Sequence, residues 1–347
     1  FDFTRASSAT VVNKAGLIET VGSGEPRIDF SNDAKGALLL EPTRSNLLSY
    51  SEDFSQSYWL KTSGVGLVGG QLSPDGTNNA YKFTANSNNA VMYKQFSGST
   101  NTNYNNSIYA KRVVGNGDVI LKSVQYNDLV IPLTTEWQRF NISDLTTSDI
   151  LTFQIGLATL GDEILIYGAQ LEQGSYATSY IPNFGNSAGA TRSADVCNNG
   201  GNEQVINSTE GVLYAEISAL TEDSGDSRRL TISNGTTSNR VSFELDEAEG
   251  LIKLFFTGNG DFATALNATI DVSENFKIAA SYNSSSLKLY VNGIKEGEDT
   301  SITLPIGLDN LSFDSGTGGS DFYGNVKDVR VYNTALTDAE LQTLTSN

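Results

Sequence analysis

Ile164-Leu-Ile-Tyr-Gly-Ala-Gln-Leu-Glu-Gln-Gly-Ser-Tyr-Ala-Thr-Ser-Tyr-Ile-Pro182 is the stretch that decides the predicted fold. It begins with four large apolar or aromatic residues, a composition typical of a β-strand. Gly168 and Gly174 interrupt the run, and Pro182 ends it. We therefore expect this stretch to be the closing strand of a β-sandwich, covered on both of its faces.

The length and composition predict more than one all-β domain. A single hydrophobic core rarely grows past roughly 250 to 300 residues, whereas this chain has 347. Thr, Ser, Asn, Gly, Tyr and Phe are frequent and helix-forming runs are scarce, which indicates strands and turns. Cys197 is the single cysteine, so the chain has no internal disulfide. Its cysteine content therefore fits an oxidising and a reducing compartment equally well.

The charge excludes several classes of partner. With 40 acidic and 22 basic residues, the net charge of -18 opposes binding to nucleic acid or to an anionic membrane. No apolar run approaches the roughly 18 residues of a membrane span, so we expect no membrane insertion. No signal peptide is recognisable, and a start at Phe1 suggests a processed product or a fragment. The absence of histidine removes the commonest general base and zinc ligand.

Four segments follow from the pattern along the chain. Residues 1–45 carry short alternating pieces and are predicted to form an extended N-terminal arm that packs against something larger, such as a neighbouring subunit. Residues 46–183 alternate apolar and polar positions between turn sequences, as in a jelly roll. Residues 184–209 are rich in Asn, Gly and Ser and are predicted to be a linker. Residues 210–347 form a second series of strands.

Thr-Arg recurs at residues 4, 43 and 191, which chance explains slightly better than a repeat does.

The first half of the chain resembles the carbohydrate-binding-module-like jelly rolls of phage tail and head fibre proteins and of secreted polysaccharide-active enzymes. The residues that carry this resemblance are Leu39-Leu-Glu-Pro-Thr-Arg-Ser-Asn-Leu-Leu48, Tyr50-Ser-Glu-Asp-Phe54 with Trp59, Ser73-Pro-Asp-Gly-Thr77, Glu136-Trp-Gln-Arg139 and Gly168-Ala-Gln-Leu-Glu172. Phe3-Thr-Arg5 with Ala9-Thr10 belongs to the same phage-associated pattern. As an ordered set these motifs are moderately specific.

The second half resembles the laminin-G-like, concanavalin A-like lectin domains, and this resemblance is the stronger of the two. It rests on Tyr290-Val-Asn-Gly293 and on Phe322-Tyr-Gly-Asn-Val-Lys-Asp-Val-Arg-Val-Tyr-Asn-Thr-Ala-Leu-Thr-Asp-Ala-Glu-Leu341. Thr337-Asp-Ala-Glu340 also forms a capping box that predicts a short terminal helix. The predicted fold class is all-β, with two antiparallel β-sandwiches, a jelly roll followed by a concanavalin A-like sandwich, and the extended N-terminal arm.

One near match to a catalytic pattern lies in the second half. Laminarinase-like glycosidases share the concanavalin-type fold and use Glu-x-Asp-x-Glu on one strand, where alternation places three carboxylates on one face. In Glu244-Leu-Asp-Glu-Ala-Glu249 the third of these positions is alanine, so a charged hairpin is the better interpretation. We predict that the protein is not an enzyme.

Candidate binding residues follow from chemistry that suits sugars and calcium. Aromatic rings stack on sugar faces, which makes Tyr58, Trp59, Tyr93, Tyr104 and Tyr126 candidates for glycan binding, although tyrosine is also an ordinary strand residue. Carboxylates suit Ca²⁺ as a possible cofactor. The resemblance implies a site from Glu52, Asp53 and Glu172, and a second is predicted at Asp314 and Asp321, although solvated turns explain these acidic residues equally well.

These features favour a glycan-recognition or adhesion protein of a phage fibre, tail spike or virion decoration. The expected partner is a cell-surface or extracellular polysaccharide, the expected location is the virion surface or the extracellular space, and a homotrimer or other virion proteins would supply avidity. Two alternatives stay open: accessory carbohydrate-binding modules of a secreted polysaccharide-active enzyme, and a purely structural virion protein.

Overall fold

The computed structural model describes residues 1–125, 127–220, 227–246 and 250–346, and for residues 263–265 it describes the backbone alone. Numbered in chain order, the strands are β1 Asp2–Thr4, β2 Ala9–Val12, β3 Ile18–Val21, β4 Arg27–Asp29, β5 Ala37–Leu40, β6 Arg44–Asn46, β7 Leu60–Lys61, β8 Val65–Gln71, β9 Ala80–Ala85, β10 Ala90–Ser97, β11 Asn103–Val114, β12 Val119–Lys122, β13 Asp128–Val130, β14 Gln138–Leu145, β15 Ile150–Leu157, β16 Glu163–Gln173, β17 Ala190–Arg192, β18 Val196–Asn198, β19 Gly211–Ala219, β20 Arg228–Ser233, β21 Arg240–Asp246, β22 Leu251–Gly258, β23 Asp261–Thr269, β24 Phe276–Tyr282, β25 Leu287–Val291, β26 Ile294–Asp299, β27 Asn310–Ser312 and β28 Gly324–Tyr332. One helix, α1, spans Asp338–Thr345. Among the described residues, no helix is long and apolar enough to cross a membrane.

The chain folds into two compact units, each assembled from separated segments. Unit 1 contains Phe1–Arg5, Gly24–Pro42 and Ala194–Asn347, and unit 2 contains Ala6–Ser23 and Thr43–Ser193. The predicted fold class is confirmed, because both units are antiparallel β-sandwiches. The first 45 residues, predicted to form an arm, are divided between the two units as short strands. The segment 184–209, predicted to be a linker, contains β17 and β18.

Unit 2 consists of two five-stranded sheets. Their strand orders are β13-β12-β15-β10-β7 and β14-β11-β16-β9-β8. Strand β16, from the stretch quoted at the outset, lies in the middle of its sheet, and its residues from Ile164 to Glu172 are all buried. The prediction that both faces of this strand are covered is therefore confirmed.

A glycine makes the covering of β16 possible. Gly168 has φ +63°, and it lies at a register shift between β11 and β16. A Cβ atom at this position would lie 3.3 Å from ring carbons of Tyr109 and Tyr180. Because a side chain would be both strained and crowded there, only glycine suits this bulge.

Unit 1 pairs a seven-stranded sheet with a five-stranded sheet. The orders are β26-β25-β24-β19-β28-β5-β4 and β23-β22-β21-β20-β27. The predicted terminal helix is confirmed as α1, with Thr337 and Glu340 forming its capping box. Its Leu341 is fully buried and packs against the outer face of the seven-stranded sheet.

The N-terminal strands β4 and β5 extend the seven-stranded sheet of unit 1. Leu38 pairs with Val326 of β28, and Leu40 is 1% exposed in the unit 1 core. Strands of three or four residues cannot bury a core of their own, but β5 pairs with the first three residues of β28, and β4 in turn pairs with β5. Sequence separation hides such a pairing from local pattern analysis.

Four buried charges join the distant segments of unit 1, and we call them the ion cluster: Arg5, Arg27, Glu41 and Asp195. The side chains are at most 3% exposed. Asp195 accepts from Arg5 at 3.0 Å and from Arg27 at 2.5 Å, while Glu41 accepts from Arg27 at 2.7 Å. Burial alone would lower the pKa of Arg27, but the carboxylates of Glu41 and Asp195 raise it. The cluster is balanced, with two charges of each sign.

Candidate functional site

The outer face of the sheet β13-β12-β15-β10-β7 carries a continuous row of side chains, one from each strand. Direct pairing places Leu60 beside Tyr93, Tyr93 beside Gln154, Gln154 beside Lys122 and Lys122 beside Asp128. We call these five residues the Tyr93 row. Side chains alternate along a strand, and Met92 and Phe153 point into the core, so Tyr93 and Gln154 point outward.

The Tyr93 row combines an aromatic ring with open hydrogen-bonding groups. Tyr93 and Gln154 are partly exposed, and in the described part of the chain neither the hydroxyl of Tyr93 nor the amide of Gln154 has a hydrogen-bond partner. Lys122 forms an ion pair with Asp128 at the far end of the row. Next to the row, Gly156 lacks a side chain, and the side chain of Val91 lies 3.2 Å from where its Cβ would be. A sugar ring could stack on Tyr93 while its hydroxyls meet the amide.

The other predicted aromatic residues of unit 2 lie in different surroundings. Trp59 is 2% exposed, and its indole N–H donates to the carbonyl of Tyr50 at 3.0 Å. Tyr104 is 4% exposed and its hydroxyl accepts from the amide of Ser99. Neither ring has an exposed face for a ligand, because both rings are buried in the core of the sandwich. Tyr126 lies outside the described residues.

Tyr58 is half-buried and forms part of an aromatic group. Its hydroxyl accepts from the amide of Ser49 at 3.2 Å, and the ammonium of Lys94 lies 4.4 Å from the centre of its ring. Burial raises the pKa of Tyr58. The glycan-binding prediction therefore rests on Tyr58 and Tyr93, which the structure places on different surfaces of unit 2.

The three acidic residues predicted as a metal site in unit 2 are each engaged by other groups. Glu52 accepts from the hydroxyls of Tyr167 and Tyr180 at 3.1 and 3.0 Å, and burial raises its pKa. Glu172 accepts from the amide and hydroxyl of Thr178 at 2.8 and 2.6 Å. Within the described ranges, no three Asp, Glu or Cys side chains are grouped as a metal site.

Asp53 is held as an anion by its neighbours. Burial alone would raise its pKa, but hydrogen bonds from Gln56, Ser55 and Tyr81 lower it to about 2. The hydroxyl of Tyr81 donates to one carboxylate oxygen at 2.7 Å, and the amide of Gln56 donates to the other at 2.6 Å. Both oxygens of Asp53 thus stabilise the turn that begins at this residue.

Asp314 and Asp321, the acidic pair singled out in unit 1, lie close enough for their charges to interact. Asp314 is 4% exposed and accepts from Gly316 and Asn198 at 2.6 and 3.0 Å. Burial raises the pKa of Asp321, and the charge of Asp314 raises it further. The two carboxylates therefore repel each other, and the charge of Arg228 offsets part of this repulsion.

The carboxylates of the near-catalytic pattern are paired with cations. Glu244 forms an ion pair with Arg229, and Asp246 forms one with Lys253 at 2.8 Å. Residues 247–249 lie outside the described residues. The described part of the pattern thus resembles a row of charges that neutralise one another across neighbouring strands.

Comparison with known proteins identifies a similarity within unit 1. Residues 219–342 match the family model of the concanavalin A-like lectin/glucanases superfamily. Within that superfamily, the matching model is Laminin_G_3. The expectation of a concanavalin A-like sandwich in this segment is therefore confirmed. Among curated proteins, none matches the chain.

Similar solved structures include sugar-binding modules. The CBM40 of the Ruminococcus gnavus IT-sialidase is 20% identical over 40% of this chain and 84% of its own length, with a TM-score of 0.34. Domain 4 of AbnA, an extracellular arabinanase from Geobacillus stearothermophilus in complex with arabinotriose, is 15% identical over 50% of this chain and 83% of its own length, with a TM-score of 0.36.

Proposed function

We propose that the protein is a non-enzymatic glycan-recognition component, and that the Tyr93 row is its primary contact with sugar. The observation that carries this proposal is the run of Leu60, Tyr93, Gln154, Lys122 and Asp128 across five neighbouring strands. Residues on regular strands are held in fixed positions, so binding to this surface orders few groups.

The chemistry of the row suits an extended polysaccharide better than a small apolar ligand. The surface is open, and it offers one aromatic ring among amide, ammonium and carboxylate groups. Such a face recognises a sugar by one stacked ring and a few hydrogen bonds, which yields weak affinity per site. Several copies acting together would turn weak contacts into firm attachment.

The motifs shared with phage fibre proteins support a place on a virion surface, as part of a fibre, tail spike or decoration that binds bacterial polysaccharide. A homotrimer would supply the copies. An accessory module pair of a secreted polysaccharide-active enzyme would use the same surface as a monomer, and a purely structural virion protein would bind no sugar. Oligomeric state and a glycan screen therefore separate the three possibilities.

Substitution of Tyr93 tests the proposal. In a screen of bacterial and algal polysaccharides, the intact chain should bind at least one glycan. Tyr93→Ala should then weaken binding at least tenfold, because the stacking surface is lost. Leu160→Ala removes a side chain of unit 2 that is 60% exposed and lies in the connection between β15 and β16, outside the five residues of the row, so it should leave binding unchanged. Equal binding by Tyr93→Ala and the intact chain would contradict this site.

We also propose that calcium binds unit 1 beside Asp314 and Asp321. The mutual repulsion of these carboxylates supports the proposal, because calcium prefers carboxylate oxygen ligands. Calcium at 100 times its Kd would stabilise the folded state by about 2.7 kcal/mol. We expect millimolar calcium to raise the Tm of the intact chain and not that of Asp321→Asn. An equal response of both proteins would count against this site.

A further inference from the structure

A second exposed aromatic surface lies in unit 2, outside the Tyr93 row. It consists of Phe184, Tyr50, Tyr58 and Lys94, and we call it the Phe184 strip. Phe184 is 77% exposed, more than any other large apolar side chain described. It pairs with Tyr50 in an isolated antiparallel bridge, so the two side chains point to the same side. The rings of Tyr50 and Tyr58 are 5.6 Å apart, and Lys94 lies against Tyr58.

Backbone hydrogen bonds fix the position of the exposed Phe184. At the residue before Phe184, the amide of Ser51 donates to the carbonyl of Asn183 at 3.0 Å, and the amide of Asn183 donates to the hydroxyl of Ser51 at 2.8 Å. At the residue after Phe184, the amide of Gly185 donates to the carbonyl of Ser49 at 2.5 Å. An apolar ring displayed on ordered backbone loses little conformational entropy when a ligand covers it. The exposure of Phe184 is thus a feature of a folded surface.

The charge at the other end of the strip indicates the kind of ligand. The ammonium of Lys94 lies 4.4 Å from the ring centre of Tyr58, and among the described residues no carboxylate pairs with it. This is notable in a chain whose net charge is -18. The long-range repulsion of an acidic ligand is screened beyond about 8 Å at physiological salt, so the nearby ammonium decides the local preference.

From this geometry we propose that the Phe184 strip binds a carboxylate-bearing sugar of an acidic polysaccharide. The apolar face of the sugar rings would cover Phe184 and Tyr50, and the carboxylate would meet Lys94. The strip is separate from the Tyr93 row, because Tyr93 and Lys94 are consecutive residues of β10 and point to opposite faces. The inference rests on the proposed function only in that the ligand is a sugar.

The test uses the intact chain with two probes, a trimer of galacturonic acid and the neutral trimer of galactose. Titration should show that the acidic trimer binds at least tenfold more tightly. Phe184→Ala should weaken binding of the acidic trimer at least tenfold, and Lys94→Met should remove the preference for it while preserving much of the packing on Tyr58. Phe262→Ala, which removes a ring that is 55% exposed in unit 1, should change neither value.

Three outcomes would overturn the inference. The first is equal binding of the acidic and neutral trimers by the intact chain. The second is unchanged binding by Phe184→Ala. The third is a shift in sedimentation of the chain that Phe184→Ala abolishes, because a second copy would then be the occupant of the strip. Failure of the proposed function gives a different result from failure of this inference. If the Tyr93 row does not bind sugar, Tyr93→Ala retains full binding of the screened glycan, and this result does not depend on the Phe184 strip.

Discussion

Asp195→Ala should destabilise unit 1 by about 3–5 kcal/mol, the usual cost of removing one partner from a buried ion pair. The substitution leaves Arg5 without its 3.0 Å acceptor, and it leaves Arg27 with Glu41 as its remaining carboxylate in the cluster. The amide of Glu41 also loses a 2.8 Å acceptor. Asp195→Asn should cause most of the same loss of stability, because it preserves the volume of the side chain but not its charge.

Protection of the β19 and β24 amides against hydrogen exchange measures this effect. Both tryptophans, Trp59 and Trp137, lie in unit 2, so fluorescence does not report on unit 1 directly. Asp328→Ala is the control, since the Asp328–Arg330 pair is partly exposed to solvent and should contribute less than about 1 kcal/mol. A cost for Asp195→Ala no larger than that of the control would show that the ion cluster does not hold the segments of unit 1 together.

A fragment of residues 194–347 should fail to form a stable unit 1. It lacks β4 and β5 of the seven-stranded sheet, and Asp195 would remain buried without either arginine. The core would also lose Leu40. We expect weak amide protection and binding of a hydrophobic dye, both of which are measured readily on the purified fragment.

A permuted fragment provides the matched control. Residues 24–42 would follow residue 347 through a Gly/Ser linker of about 20 residues, which spans on the order of 25 Å. This restores β4, β5, Arg27 and Glu41 and should restore cooperative unfolding, even without Arg5. If the simple fragment proves as stable as the permuted one, the N-terminal strands are not part of the core of unit 1.

Local patterns predicted the strands and the terminal helix well, because their signals lie within a few residues. The apolar run of β16 and the capping box of α1 are examples. The pairing of β5 with β28 joins residues almost 300 positions apart, and nothing within either strand specifies the other. The recurring Thr-Arg does not specify this pairing either: Arg44 and Arg192 pair across β6 and β17, and Arg5 belongs to the ion cluster.

The candidate site shows the same limit. Alternation along β10 places Tyr93 on the outer face, but its neighbours Gln154 and Lys122 come from other strands and become visible only with the register. Trp59 follows a loop-like sequence, yet ring packing with Phe54 and Phe153 buries it. Phe184 was missed because it lies in a segment of linker composition, although a lone aromatic residue among Asn, Gly and Ser was a usable signal.

The antiparallel pairing of β5 with β28 also sets an order of events during protein synthesis. Leu40 leaves the ribosome long before residues 324–332, which form its neighbouring strand. At about 5–20 residues per second, the delay is on the order of 15–60 s. During this time β4 and β5 have no sheet edge to join, and for the first part of it Arg27 also lacks its partner Asp195. A nascent chain would therefore complete the seven-stranded sheet of unit 1 only after residue 332 has left the ribosome, and chaperones that shield apolar strands would be most useful in that interval.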